Sequence, residues 1–239
     1  MTLPWHKGVF SRITQVAPHT RLFFIRLGEM ATFDFRPGQF VTLDLPIADK
    51  PARRWRSYSI ASAPNGTNEI ELVIVWLKGG LGTTYLFNEI KVGDEVTLRG
   101  PLGVFTLPET LEEPVYFICT GTGIAPFRSM LHHMRRTGAQ HQHPVYLIVG
   151  TRRQEDLLYH QDMLALEKQL PYFHYLPTLS REKWSGATGY VHPLYEQLAA
   201  GSERGQFYLC GWKDMIKEAK ERIQALGYDR KCIHQELYG

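Results

Sequence analysis

Over the first hundred residues, apolar and polar positions alternate in short runs that break at turn residues. Segments rich in β-branched and aromatic side chains span 9–16, 21–27, 39–45, 56–60, 69–76 and 95–99. Pro18, Gly28, Pro37-Gly38, Pro64-Asn65-Gly66, Gly79-Gly80 and Gly93-Asp94 mark the breaks. Runs of this length and composition read as strands, and the residues between them supply turn backbone. Six short strands joined mostly by short turns predict a six-stranded antiparallel barrel, which leaves no unpaired edge. Helical patterning here is limited to a turn or two at 84–88, after Gly82.

The period changes after Pro108. A compact apolar run at 115–119 leads into a helical pattern at 126–136, with Pro126 at its start and Gly138 beyond its end. The unit then repeats: strand 145–149, helix 155–170, strand 173–176, helix 193–199, strand 207–210, helix 214–226 stopped by Gly227, and strand 231–236. This alternation predicts a five-stranded parallel sheet with helices on both faces. The acidic, Pro-bounded stretch LPETLEEP at 107–114 is the expected linker, giving domains 1–108 and 109–239.

Composition narrows the classes. With 44% hydrophobic and 21% charged residues, the chain of 239 residues is an ordinary globular protein, and disorder is excluded as its main state. The excess of 27 basic over 24 acidic residues is too small to argue for a nucleic-acid partner. Cys119, Cys210 and Cys232, spaced 91 and 22 apart, give neither a disulfide framework nor a CxxC zinc or four-cysteine cluster site. No apolar run reaches 18 residues, and the start MTLPWHKGVFSR lacks the apolar core of a signal peptide. A soluble, cytoplasmic protein without a membrane span is expected, its oligomeric state left open with a monomer favoured. His132-His133 and His141-x-His143 read as a solvated helix end and loop, since adjacent residues do not share a helix face.

Three segments carry chemistry. In Arg56-Ser57-Tyr58-Ser59, alternation puts Arg56 and Tyr58 on one face of a strand and the serines on the other. An Arg fork suits a phosphate and a Tyr ring suits a flat cofactor, although a plain strand would carry the same residues. Gly79-Gly80-Leu81-Gly82-Thr83-Thr84 precedes the short helix and reads either as an anion-binding turn or as a glycine hairpin with Thr83 as helix cap. Cys119-Thr120-Gly121-Thr122-Gly123-Ile124-Ala125-Pro126 is a glycine turn between the first parallel strand and its helix, where open α/β sheets bind nucleotides. Pro126 stands where GxGxxG would need its third glycine, so the usual Rossmann subtype is excluded while pyrophosphate binding is kept.

Taken in order, these segments resemble the ferredoxin–NADP reductase family. RSYSIAS at 56–62 is similar to its flavin motif, GGLGTTYL at 79–86 to its flavin-pyrophosphate loop and TGTGIAPFRSML at 120–131 to its nicotinamide-nucleotide loop. LSRE at 179–182 resembles its 2′-phosphate motif, YLCGW at 208–212 its Cys-Gly segment, and ELY at 236–238 its terminal acidic–aromatic motif. The resemblance covers residues 5–239 and implies a barrel holding FAD, an α/β domain holding NADP, and hydride transfer between the two.

It also implies roles. Tyr58 would pack on the flavin ring, Arg56 would hold the FAD pyrophosphate, and Ser59 would bond near the flavin's reactive nitrogen. Ile60, Ala61 and Ser62 would line the pocket, and Gly80, Leu81, Gly82 and Thr83 would meet the diphosphate. Trp76 would cover the adenosine or, alternating with Leu72 and Ile74, serve the core. Thr122 and Gly123 would face the NADP pyrophosphate, Cys210 the nicotinamide, and Tyr190 the adenine. Ser180, Arg181 and Arg152, with Arg153 nearby, would take the 2′-phosphate that distinguishes NADPH from NADH. Glu236 would relay protons and Tyr238 would shield the flavin, with Gly239 a departure at the end of the chain. Lys50, Arg53 and Arg54 would steer an acidic ferredoxin or flavodoxin. FMN in place of FAD, a reductase component of an oxygenase, a free-flavin reductase, and a non-catalytic flavin-binding sensor or scaffold stay open as alternatives.

Overall fold

A computed structural model describes residues 4–138, 140–202 and 204–238, with only the backbone of Tyr238. The chain forms two compact units, one of Met1–Thr106 with Arg128–His133 and one of Leu107–Phe127 with Met134–Gly239.

The first unit is the expected barrel. Its strands β1 (Trp5–Ala17), β2 (Thr20–Arg26), β3 (Phe40–Asp44), β4 (Trp55–Ser59), β5 (Glu69–Val75) and β6 (Glu95–Leu102) lie in the order β4-β3-β6-β1-β2-β5. All their ladders are antiparallel. A bridge between Ile60 and Leu72 joins the two ends of that order, so the sheet curls back on itself. Inward positions Phe10, Phe23, Ile25, Leu43, Leu72, Ile74 and Leu98 form one core. Each such side chain contributes roughly 1.5–3 kcal/mol by leaving water. Two helices accompany the strands: α1 (Pro51–Arg54), which no periodicity announces in four residues, and α2 (Leu81–Asn88).

The second unit contains a parallel sheet of six strands, one more than the sequence predicts. Strands β7 (Val115–Thr120), β8 (Val145–Thr151), β9 (Phe173–Leu179), β10 (Ala187–Thr188), β11 (Gln206–Trp212) and β12 (Ile233–Tyr238) lie in the order β10-β9-β8-β7-β11-β12. The extra strand, β10, is two residues between Gly186 and Gly189, too short to show alternation. It is held on β9 because Trp184 donates its ring N–H to the Ala187 carbonyl at 2.7 Å and Thr178 donates to the Gly189 carbonyl at 2.9 Å. Residues 115–119 are buried without a break, as befits a strand covered on both faces.

Helices α3 (Ala125–Thr137), α4 (His160–Gln169), α5 (His192–Ala199) and α6 (Lys213–Ala225) separate these strands. Gly138 ends α3 in the left-handed conformation, with φ +66°, where an L side chain would be strained. Helix α4 starts five residues later than the periodicity suggests. Residues 154–156 form a tight turn, and Tyr159 sits at φ +55°, outside helical space. On α6, Met215, Ile216, Ala219 and Ile223 make the apolar stripe that packs on the sheet.

Candidate functional site

In the first unit, residues 56–59 end β4, and Gly80 precedes the first residues of α2, Leu81 and Gly82. The fold brings them together. A Cβ placed on Gly82 would lie 2.9 Å from Cγ and 3.0 Å from Nε of Arg56, so the arginine stem occupies the space glycine leaves. Arg56 Nη1 donates to the carbonyls of Arg53 at 3.0 Å and Trp55 at 2.8 Å, which fixes the guanidinium beside the first turn of α2. No side chain caps that helix start. Its free amides and the guanidinium make a positive corner suited to a phosphate. The Thr83 hydroxyl is turned to the loop itself, accepting from the Leu77 N–H at 3.1 Å and approaching the Leu77 and Gly80 carbonyls at 3.3 and 3.2 Å.

Tyr58 is half-buried against the barrel core, and burial pushes its hydroxyl above the ordinary tyrosine value while Arg56 acts in the opposite sense. Ser59, Ile60 and Ala61 are buried, and Ser62 is half-buried. Their backbone is pinned by Ile60 N–H to the Gln39 carbonyl at 3.0 Å, Ala61 N–H to the Glu71 carbonyl at 2.8 Å, and Glu71 N–H to Ser62 Oγ at 3.1 Å. Arg128 Nη1 donates to the Ala61 carbonyl at 2.9 Å and pairs with Glu71 at 3.1 Å. The sequence reading missed this pair. Glu71, set inside the mostly apolar strand EIELVIV, was the available signal. Trp76 is half-buried, tilted against the His19 ring at 6.0 Å. Of the basic residues beside the flavin motif, Arg54 is held by Asp44 at 2.8 Å, while Lys50 and Arg53 are exposed.

In the second unit, the order β9-β8-β7-β11-β12 reverses direction between β7 and β11, the switch point at which such sheets leave a crevice. Residues 120–123 leave β7 there and run into the 3₁₀ turn Gly121–Ile124 ahead of α3. Gly123 lies so close to β11 that a Cβ would stand 2.4 Å from the Cys210 carbonyl oxygen. Gly211, at φ +131°, is equally constrained, because a Cβ there would be 2.5 Å from Thr120 Oγ1. Thr122 is half-buried at the turn. Cys210 is fully buried, 0% exposed, and is paired in register with Glu236 of β12. Glu236 is half-buried, and the Tyr238 side chain lies outside the described residues, as does Gly239.

At the ends of β8 and β9 the chain collects arginines. Arg181 N–H donates to the Arg152 carbonyl at 3.0 Å, and Ser180 N–H to the Thr151 carbonyl at 2.9 Å, so the two strand ends run side by side. Arg153 pairs with Glu155 at 3.6 Å, and Glu182 accepts the Gln154 N–H at 2.8 Å. Arg152 and Arg181 are exposed, and neither has an ion-pair partner among the described residues. Tyr190 is 74% exposed just after β10.

Comparison with known proteins gives this geometry a context. Residues 7–107 match the oxidoreductase FAD-binding domain family and residues 117–221 the oxidoreductase NAD-binding domain family. Ferredoxin--NADP reductase B of Sorangium cellulosum is 34% identical over 235 residues, which cover 95% of this chain and 94% of that protein. The chain belongs to the ferredoxin–NADP reductase family.

Other members of this wider group are larger. The electron transfer component of toluate 1,2-dioxygenase from Pseudomonas putida is 31% identical, over 98% of this chain and 67% of its own length. That of anthranilate 1,2-dioxygenase from Acinetobacter baylyi is 33% identical, over 78% of this chain and 53% of its own length. Among solved structures, the FAD/NAD-binding domain of nitric oxide dioxygenase from Vibrio cholerae superposes with a TM-score of 0.85 at 25% identity, covering 98% of both chains. A ferredoxin NADP+ reductase from Neisseria gonorrhoeae with bound FAD and NADP shares the fold, with a TM-score of 0.77 at 24% identity over 99% of both chains.

Membership in the ferredoxin–NADP reductase family makes the protein an oxidoreductase with an FAD-binding and a nicotinamide-nucleotide-binding domain. The first unit fits the flavin nucleotide on its own evidence: the glycine cradle at Gly82, the fixed Arg56 guanidinium and the uncapped start of α2 suit a diphosphate, with the Tyr58 ring on the same strand. None of the helices is long and apolar enough to cross a membrane among the described residues.

Proposed function

We propose that the protein is an NADPH-selective reductase that passes electrons singly to a ferredoxin or flavodoxin. The observation that carries the NADPH preference is the pair Arg152 and Arg181, joined through their backbones at 3.0 Å and left without carboxylate partners among the described residues. A 2′-phosphate is a dianion, and two unpaired guanidinium groups beside Ser180 are suited to it.

When bound, flavin supplies the change of electron number, taking a hydride from a nicotinamide and releasing electrons one at a time. The chain's own residues bind and orient. Arg56 and the start of α2 hold the flavin diphosphate, Tyr58 packs on the ring, and the backbone of residues 60–62 lines the pocket. Ser59 offers its hydroxyl toward the ring's reactive nitrogen, and Ser62 accepts the Glu71 N–H, which braces that backbone. Gly80 and Leu81 begin the helix, and Trp76 takes the adenosine end. On the second unit, Thr122 and Gly123 receive the nicotinamide-nucleotide pyrophosphate at the switch point. Tyr190, exposed after β10, stacks on the adenine. Cys210 acts from within the sheet, where its buried thiol and the adjacent Gly211 shape the end of β11. Glu236, its register neighbour, holds and passes a proton at its carboxylate.

Support for a small protein acceptor comes from the 34% identical relative named as a ferredoxin--NADP reductase and from exposed Lys50 and Arg53 on and beside α1. Three cysteines outside any disulfide support a reducing, cytoplasmic setting. The named oxygenase components give the second reading, a reductase serving an oxygenase. Steady-state turnover with NADPH and NADH against ferredoxin, flavodoxin, cytochrome and free flavin tests both. Efficient, NADPH-selective reduction of ferredoxin or flavodoxin is expected. Turnover confined to free flavin, or a preference for NADH, would overturn the proposal.

A further inference from the structure

Beside the turn of the β1–β2 hairpin, the first unit has a cavity of about 170 Å³ lined by Pro18, His19, Arg21, Trp76, Phe87 and Asn88, with Gln15 at its edge. Arg21 is its fixed point. The arginine Nε donates to Gln15 Oε1 at 2.9 Å and Nη1 to the Phe87 carbonyl at 2.8 Å, with Cζ 4.7 Å from the centre of the Phe87 ring. Both partners are themselves held. The Gln15 amide donates to the carbonyls of Ala17, Pro18 and Thr20, which decides the direction of its oxygen. The Phe87 ring meets Phe23 of the barrel core edge-on at 5.8 Å. The guanidinium is therefore set in place by the protein alone.

These two bonds use two of the five N–H groups a guanidinium carries, so three are left without a partner among the described residues. The Asn88 side-chain amide and the His19 ring nitrogens also have no hydrogen-bond partner among the described residues. No acidic residue lines the cavity among the described residues, and the arginine offsets the negative end of α2 by taking the Phe87 carbonyl. Flat walls complete it. The Trp76 N–H donates to the His19 carbonyl at 2.7 Å, and their rings lie 6.0 Å apart. Asn88 is the last residue of α2, whereas the diphosphate corner is at its first, about 10 Å away along the helix axis. The volume is also too small for a nucleotide, since pockets for drug-sized ligands run about 300–1,000 Å³.

We propose that this cavity is a second ligand site, one that takes a small aromatic carboxylate. The free N–H groups of Arg21 bind the carboxylate, Asn88 donates beside it, and the ring lies against Trp76 and Phe87. A donor set with no acceptor of matching charge selects an anion, and the flat walls select a ring over a bare phosphate. Trp76, read above against the adenosine, is a wall the two occupants share, so the site is tested on the FAD-loaded protein.

Calorimetric titration compares benzoate with benzamide, which keeps the ring and loses the charge, and with acetate and inorganic phosphate, which lack the ring. Benzoate should bind once per chain and at least about 10-fold more tightly than any of the other three, the scale of one charge-assisted contact or of one buried ring. Arg21→Gln should weaken benzoate by about 10-fold or more. Asn88→Asp, which brings a carboxylate to the cavity, should weaken it by about 5-fold or more. Absence of saturable benzoate binding would overturn the proposal. So would benzamide or phosphate binding as tightly as benzoate, or benzoate binding left unchanged by Asn88→Asp, which would put the ligand elsewhere. Benzoate that binds the FAD-free protein and not the FAD-loaded one would give the cavity to the adenosine and overturn it as well. If Arg21→Gln does not fold, because the arginine also holds the end of α2, Asn88→Asp at its exposed position decides alone.

Discussion

The Arg56 side chain lies across Gly82, with Cγ 2.9 Å and Cδ 3.3 Å from where a Cβ would be. The contact is with the stem of the arginine and its Nε, which the Arg53 and Trp55 carbonyls hold through Nη1. A methyl group at 82 therefore has to displace the guanidinium. Gly82→Ala should weaken FAD binding by a similar amount to Arg56→Ala, about 10–150-fold for the loss of a charge-assisted contact worth roughly 1.5–3 kcal/mol. Titration of the apoprotein with FAD checks this. A Gly82→Ala protein that binds FAD as tightly as the parent would show that the diphosphate lies elsewhere.

At the other nucleotide, Arg181→Ala should lower kcat/KM for NADPH by about 10–150-fold and leave NADH nearly untouched, since only NADPH has the 2′-phosphate. Arg152→Ala should act in the same direction, because the two residues are joined through their backbones. Equal losses with both nucleotides would remove these arginines from the phosphate site.

Glu71 and Arg128 form an ion pair at 3.1 Å with side chains only 9% and 16% exposed. Removing Arg128 takes the positive charge from beside a nearly buried carboxylate and breaks its bond to the Ala61 carbonyl as well. Arg128→Leu should therefore destabilise the protein by roughly 3–5 kcal/mol, and adding Glu71→Gln should recover part of that loss. Chemical denaturation of the single and double variants measures both.

The histidines predict the acid response. Burial lowers the values of His141, His192 and His234 below the ordinary 6.5. His192 shows the balance most clearly: Glu218 and Glu196 raise it and Arg222 lowers it, while its ring bonds Tyr195 at 2.9 Å. Between the lowered folded values and 6.5 the unfolded chain binds more protons. Stability from these groups is thus complete above about 6.5 and is lost as pH falls through the folded values. His192→Gln should flatten that part of a Tm-against-pH curve; an equally steep curve would exclude His192 as a contributor.

Much of this was legible in the chain. Residues 115–119 read as a buried strand because every position is apolar, and the barrel strands showed their alternation. What escaped depends on tertiary approach. Thr120 looked like one more residue of a glycine turn, because its partner, Trp212, is 92 residues away. Gly123 was read as a phosphate-loop glycine, yet the Cys210 carbonyl also requires it to lack a side chain. Arg54 appeared free to steer a partner until Asp44, on the neighbouring strand, claimed it. The sixth parallel strand rests on Trp184 folding back to Ala187, a contact with no periodic signature. The Arg56–Gly82 juxtaposition could be anticipated only in outline, from motif order and never from spacing.

The most direct measurement mixes the FAD-loaded protein anaerobically with NADPH, and separately with NADH, and follows flavin absorbance in a stopped-flow instrument. The account predicts rapid bleaching by NADPH, slower bleaching by NADH, and recovery of colour when oxidised ferredoxin or flavodoxin is added. Flavin that stays oxidised with NADPH, or bleaches faster with NADH, would contradict it.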